Sequence, residues 1–148
     1  MPHAGLMEEK SMPLEDGLLL RAKLHIRGGK RRLRQGKISA GLVTLYDALC
    51  AALELQTVLA SSKQKLLINE GENLNDDKTI YEILVRSKIV DGSFNFNEFD
   101  EIINRALVEE IREFDYKPLV EKFERLMVEL GIMPFDEDSL PPEDPSTF

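Results

Sequence analysis

The sequence predicts an all-α protein: an antiparallel bundle of about five helices, followed by an acidic C-terminal tail that is disordered when alone. Three observations carry this expectation. Apolar residues recur at three- and four-residue spacing along most of the chain. Turn signals separate those stretches at Gln35-Gly36-Lys37, at Asp91-Gly92 and from Gly131 to Pro134. A strand-like pattern is confined to Phe94–Phe96. With 148 residues the chain fits one domain, and a chain of that size buries about two-thirds of its unfolded surface without disulfide or metal support.

Taken in order, residues 1–13 lack periodicity and are expected to be flexible, with the bundle spanning 14–134. Asp16 is the candidate N-cap of the first helix, whose face is Leu19, Ala22, Ile26, Gly29 and Leu33. The pair Gly28-Gly29 weakens that helix by about 1 kcal/mol per glycine against alanine. Gly29 lies on the packing face, where it either admits a neighbouring helix or breaks the element.

The second helix, from Ile38 to about Ala60, is the most apolar. Leu42, Leu45, Tyr46, Leu49, Ala52 and Leu53 form one stripe, while Val43, Ala48, Cys50, Ala51, Leu55 and Val58 make other faces apolar. A helix apolar nearly all round is a central one. The stretch still contains Asp47, Glu54 and Gln56, and it is read as a core helix rather than a membrane span.

Residues 61–76 read as a helix end and a polar loop. Asp76 or Asp77 caps a third helix carrying Ile80, Ile83 and Leu84. A fourth starts near Asn97, with Phe99, Ile102, Ile103, Ala106, Leu107 and Ile111 on one side. A fifth starts near Asp115, has Pro118 in its first turn, and carries Leu119, Phe123, Leu126, Met127 and Leu130. The tail, 135–148, holds three prolines, five acids and no base.

Charge is the most uneven feature. The net charge is −8, yet residues 17–46 hold eight of the 19 basic residues and none of the 27 acidic ones. Arg27, Lys30, Arg31, Arg32 and Arg34 form the densest cluster and are the candidate binding residues. Clustered arginines suit phosphate backbones, but aromatic residues for base stacking are missing there apart from Tyr46. The plainer reading is a solvated face, or one neutralised by the protein's own acidic segments; the tail could lie across this helix as a polyanion mimic.

Other constellations are weaker. Arg21 and His25 stand one helical turn apart and could do acid–base work on a phosphodiester, but no carboxylate accompanies them in residues 17–46. Asp91 to Phe99 looks like the second half of a calcium loop, but the same register puts Ile89, without a side-chain oxygen, at a ligand position. A turn followed by a helix capped by Asn95 or Asn97 accounts for it better. Asp47 and Glu54 share a face of the second helix beside Tyr46, as functional carboxylates or, preferably, as partners of cations on the basic helix. Cys50 sits in an apolar run and reads as a small buried hydrophobe. A lone cysteine and no secretory leader fit a cytoplasmic protein. Without a glycine-rich phosphate loop, Cys/His metal spacing or a complete triad, no cofactor, metal site or catalytic residue is expected.

The segment AKLHIRGGKRRLRQGKISAGLVTLYDALCAALEL resembles the first two helices of HEPN-like domains. It has a helix, a short turn at Gly36, then a long helix with Ala40, Tyr46, Ala48 and Ala51. Tetratricopeptide-like helix pairs share this small-residue logic. Ribonuclease-active HEPN members carry an arginine followed by four to six residues and a histidine late in the domain. Here no histidine follows His25, and Arg21/His25 has three intervening residues in the wrong helix. The resemblance therefore implies a non-catalytic member, of a kind typically dimeric and associated with nucleotide-related or toxin–antitoxin partners. The expected function is a homodimeric module acting through protein–protein contacts, at the small-residue surface of the second helix or at the basic first helix. The alternatives are a nucleic-acid-binding accessory protein using the basic helix, and a cryptic ribonuclease using Arg21 and His25.

Overall fold

The computed structural model describes residues 12–59, 62 and 64–148. Most of the N-terminal segment expected to be flexible, 1–11, lies outside these, as does part of the expected helix end at 60–63. Among the described residues there are five α-helices and no strand: α1 (Leu14–Arg34), α2 (Ile38–Val58), α3 (Asp77–Arg86), α4 (Phe96–Val108) and α5 (Lys117–Glu129).

α1 begins earlier than expected. Pro13 occupies the cap position with no side-chain cap bond, and Asp16 lies inside the first turn beside Glu15. There both carboxylates complement the positive end of the helix dipole. The helix runs unbroken through Gly28-Gly29. Leu18, Ala22, Ile26 and Leu33 are buried along it.

Gly29 and Gly41 are the reason α1 and α2 lie so close. A methyl group on Gly29 would stand 2.7 Å from Leu45 Cδ2 and 3.1 Å from the Gly41 carbonyl oxygen. One on Gly41 would stand 2.7 Å from Leu33 Cγ and 3.0 Å from the Gly29 carbonyl oxygen. The two glycines therefore face each other across the crossing, and Leu33 and Leu45 fill the remaining space.

α2 is the central helix, in contact with α1, α3 and α4. Leu42, Leu45, Leu49, Ala52 and Leu53 on it are fully buried. By length and composition it could cross a membrane, and most of its apolar surface is covered by the other helices. Two buried polar side chains on α2 satisfy loop backbone groups. Ser39 Oγ donates to the Glu109 carbonyl and accepts from the Ile111 amide, both at 2.8 Å. Gln56 Nε2 donates to the Leu130 carbonyl at 3.1 Å. These bonds fix the α4–α5 connection and the end of α5 to the core, because an unmade buried bond costs about 1–3 kcal/mol.

The caps of α3 and α4 are those read from the sequence. Asp76 accepts from the Thr79 amide and Asn95 from the Glu98 amide. In α5, Pro118 lies in the first turn, and Gly131 follows the helix at φ +78°, a left-handed conformation suited to glycine. α4 ends before Ile111, so that residue is buried from the connection rather than from the helix, and Leu107 points outward at 64% exposure. An aromatic cluster joins the remaining elements: Phe99 lies against Tyr46, Phe94 and Phe123, with ring centroids 6.2, 5.4 and 6.1 Å away. Tyr81 packs on Phe94 and Phe96 and donates its hydroxyl to the Phe94 carbonyl at 2.7 Å.

The acidic tail corrects one expectation. Rather than lacking structure, 135–148 is folded onto α1, with single 3-10 turns at Glu137–Ser139 and Pro145–Thr147. Asp136 and Asp144 cap those turns. Its composition still forbids a core of its own; the cations of α1 supply what orders it.

Candidate functional site

Lys23, Arg27 and Arg31 are spaced by four residues and so form a row along one face of α1. The tail runs along this row in the same direction. The Lys23 ammonium stands 5.8 Å from the centre of the Phe135 ring. Arg27 donates from Nη2 to the Pro141 carbonyl at 2.7 Å. Arg31 Nε donates to both Glu143 carboxylate oxygens at 3.1 Å. The Arg31 guanidinium also lies 4.6 Å from the centre of the Phe148 ring, while its Nη1 reaches Gln35 at 3.0 Å.

Two features make room for this arrangement. Gly28 presents bare backbone to the tail: a methyl group there would lie 2.8 Å from Arg32 Nη1 and 3.7 Å from Glu143 Oε1. Thr44 of α2 closes the other wall, and the cleft left beneath the tail is small, about 30 Å³. Arg31 and Arg32 are each only 9% exposed. For Arg32, burial and then the Arg31 charge lower the pKa, with Glu143 acting in the opposite direction. Charge-assisted bonds in such a sheltered place are roughly twice as strong as neutral ones.

The five predicted basic residues thus divide. Arg27, Arg31 and Arg32 line one cleft. Lys30 faces α5 instead, pairing with Glu124 at 3.0 Å. Arg34 stands exposed in the last turn. Lys23, Gly28, Thr44, Glu143 and Phe148 belong to the same surface and were not singled out from the sequence. The four-residue spacing of Lys23, Arg27 and Arg31 was the signal that could have found the row.

His25 meets the backbone of Arg21. His25 Nδ1 donates to the Arg21 carbonyl at 2.8 Å, its Nε2 stands 3.9 Å from Asp47 Oδ2, and the residue is 7% exposed. Asp47 therefore faces the histidine of the basic helix rather than a lysine or arginine, and Glu54 is exposed. The Cys50 thiol donates to Asp77 Oδ2 at 3.1 Å, and Tyr46 packs against Phe99. In the Asp91 loop, the Asp91 carboxylate accepts from the Ser93 amide at 2.8 Å and pairs with Arg125 at 2.8 Å. Among the described residues, no group of three His, Cys, Asp or Glu side chains is placed to hold a metal ion.

Burial, and secondarily the Asp77 carboxylate, pushes the Cys50 thiol up to about 12. Only the thiolate alkylates, so Cys50 should react with iodoacetamide at pH 8 at least about tenfold more slowly than in the urea-unfolded chain. Because the folded value lies above the unfolded one, this protection holds at neutral pH and fades as pH rises toward the folded value. Equal rates in folded and unfolded protein would contradict this placement of the thiol.

Comparison with known protein families, with curated proteins and with solved structures gives no match to this chain.

Proposed function

We propose that the protein is a non-catalytic helical binding module that engages other proteins through the basic face of α1, working as a homodimer in the cytoplasm. The single observation behind this reading is the row of Lys23, Arg27 and Arg31, which holds a polypeptide segment by a ring, a carbonyl and a carboxylate in succession. That mixture of contacts suits a peptide, whereas a phosphate backbone would offer the row neither an aromatic ring nor a carboxylate. The resemblance of the segment from Ala22 to Leu55 to HEPN-like domains without the ribonuclease motif agrees with a module lacking catalysis. His25 is buried and its Nδ1 is engaged by backbone, a poor start for a general base that must reach a substrate.

The test is an anisotropy titration of labelled RNA and DNA with the full chain at low and moderate salt, beside a variant with Lys30, Arg31, Arg32 and Arg34 changed to glutamate. Sedimentation runs in parallel. The expected result is negligible nucleic-acid binding and self-association that survives high salt. Tight binding that falls steeply with salt and disappears in the variant would replace this reading with the nucleic-acid one. RNA cleavage that is lost in His25→Ala would replace it with the ribonuclease one.

A further inference from the structure

Resting on that reading, we infer that the α1 face is a receptor for an acidic, proline-containing peptide of a partner protein, and that the chain's own tail occupies it as a displaceable lid. The tail displays what such a ligand needs. Glu143 meets Arg31 Nε with both oxygens. Two residues earlier, the Pro141 carbonyl accepts from Arg27 at 2.7 Å. Five residues later, the Phe148 ring covers the same Arg31 guanidinium at 4.6 Å. Prolines at 141 and 142 restrict the backbone of the first part, and the 3-10 turn at Pro145–Thr147 brings Phe148 back over Arg31; both restraints lower the entropy lost on docking. The recognition pattern is thus a carbonyl, a carboxylate two residues on, and an aromatic ring five further.

The contacts are of the kind that can be exchanged. None of the tail residues from Glu137 to Phe148 belongs to the buried core. The attachment to α1 is mainly ionic and polar, through Arg27 and Arg31. Tethering gives the tail an effective concentration in the millimolar range, so a partner segment competes only when it binds better than the tail or when the tail is disabled. A methyl group on Gly28 would crowd only the far end of Arg32, with Glu143 at ordinary contact distance.

The test uses full-length protein and a fluorescein-labelled synthetic peptide of residues 135–148, FDEDSLPPEDPSTF. In wild type the peptide competes with the resident tail. In a full-length Glu143→Arg variant the tail is repelled from Arg31 and the site is free. The expected result is at least tenfold tighter peptide binding to Glu143→Arg than to wild type. A Glu143→Gln/Phe148→Ala chain, which adds no new charge, should show the same gain, and circular dichroism should show both variants folded. Peptides carrying Glu143→Gln or Phe148→Ala should lose about tenfold in affinity for the freed site. No peptide binding to either freed variant would sink the receptor reading itself. Equal binding to wild type and the freed variants would leave the receptor but overturn the lid. A scrambled peptide of the same composition binding equally well would overturn the recognition pattern and leave only charge attraction.

Discussion

Replacing Phe99 with alanine is expected to lower the unfolding free energy by about 3–5 kcal/mol, the range for removing a fully buried ring from a packed core. Phe99 is 1% exposed and is the one ring that touches Tyr46 of α2, Phe94 ahead of α4, and Phe123 of α5. Its loss leaves a cavity where three elements meet, and the helices cannot close it independently because Ser39 and Gln56 tether the connections beside them. Urea denaturation followed by circular dichroism is the measurement. A loss below about 1 kcal/mol would mean that the cluster can collapse around the vacancy, which is incompatible with a cavity fixed between tethered elements.

The second large effect is expected from Gly29→Ala. On an isolated helix this change would stabilise by about 1 kcal/mol. At the α1–α2 crossing the added methyl would meet Leu45 carbons at 2.7 and 2.9 Å and the Gly41 carbonyl oxygen at 3.1 Å. The leucine can rotate; the carbonyl can move only if α2 moves with it. Overpacking of this kind costs about 1–3 kcal/mol, so the gain that propensity alone forecasts is cancelled or turned into a net loss of up to about 2 kcal/mol. Gly28→Ala is the control, since its closest neighbour is the flexible end of Arg32 at 2.8 Å, and it should change stability much less. Denaturation midpoints that rise for Gly29→Ala would show that the helices do not approach as closely as described.

Much of the architecture was readable because local chemistry and tertiary packing agree. Asp76 and Asn95 cap the helices they precede, Pro118 starts α5, and Leu42, Leu45, Leu49 and Leu53 are buried as their spacing required. The misses have physical causes. Asp16 has the chemistry of a cap, but the chain enters α1 one turn sooner, with Pro13 at the boundary. Leu107 fits the apolar period of α4 and still faces outward, because no element among the described residues covers that side.

The candidate site was visible as charge but not as pairing. Composition showed a basic helix and an acidic tail. Which carboxylate meets which arginine depends on how the chain returns after Gly131, a long-range matter that residue spacing does not encode. For the same reason Ser39 and Gln56 could not be foreseen: each serves a backbone carbonyl about 70 residues away, with sequence separations of 70 and 74. Asp47 was expected to meet a cation and lies instead near His25, whose charge depends on its protonation.

The glycine crossing also bears on the order of assembly. Gly29 and Gly41 are joined by a short turn at Gln35–Lys37, and closing so small a loop loses little chain entropy. The Phe99 cluster, by contrast, unites residues 46, 94, 99 and 123. The α1–α2 hairpin is therefore expected to form the folding nucleus, with the aromatic cluster consolidating afterwards. Gly29→Ala should then act chiefly by slowing refolding and Phe99→Ala chiefly by hastening unfolding. Stopped-flow rates with the opposite partition would place the nucleus at the aromatic cluster.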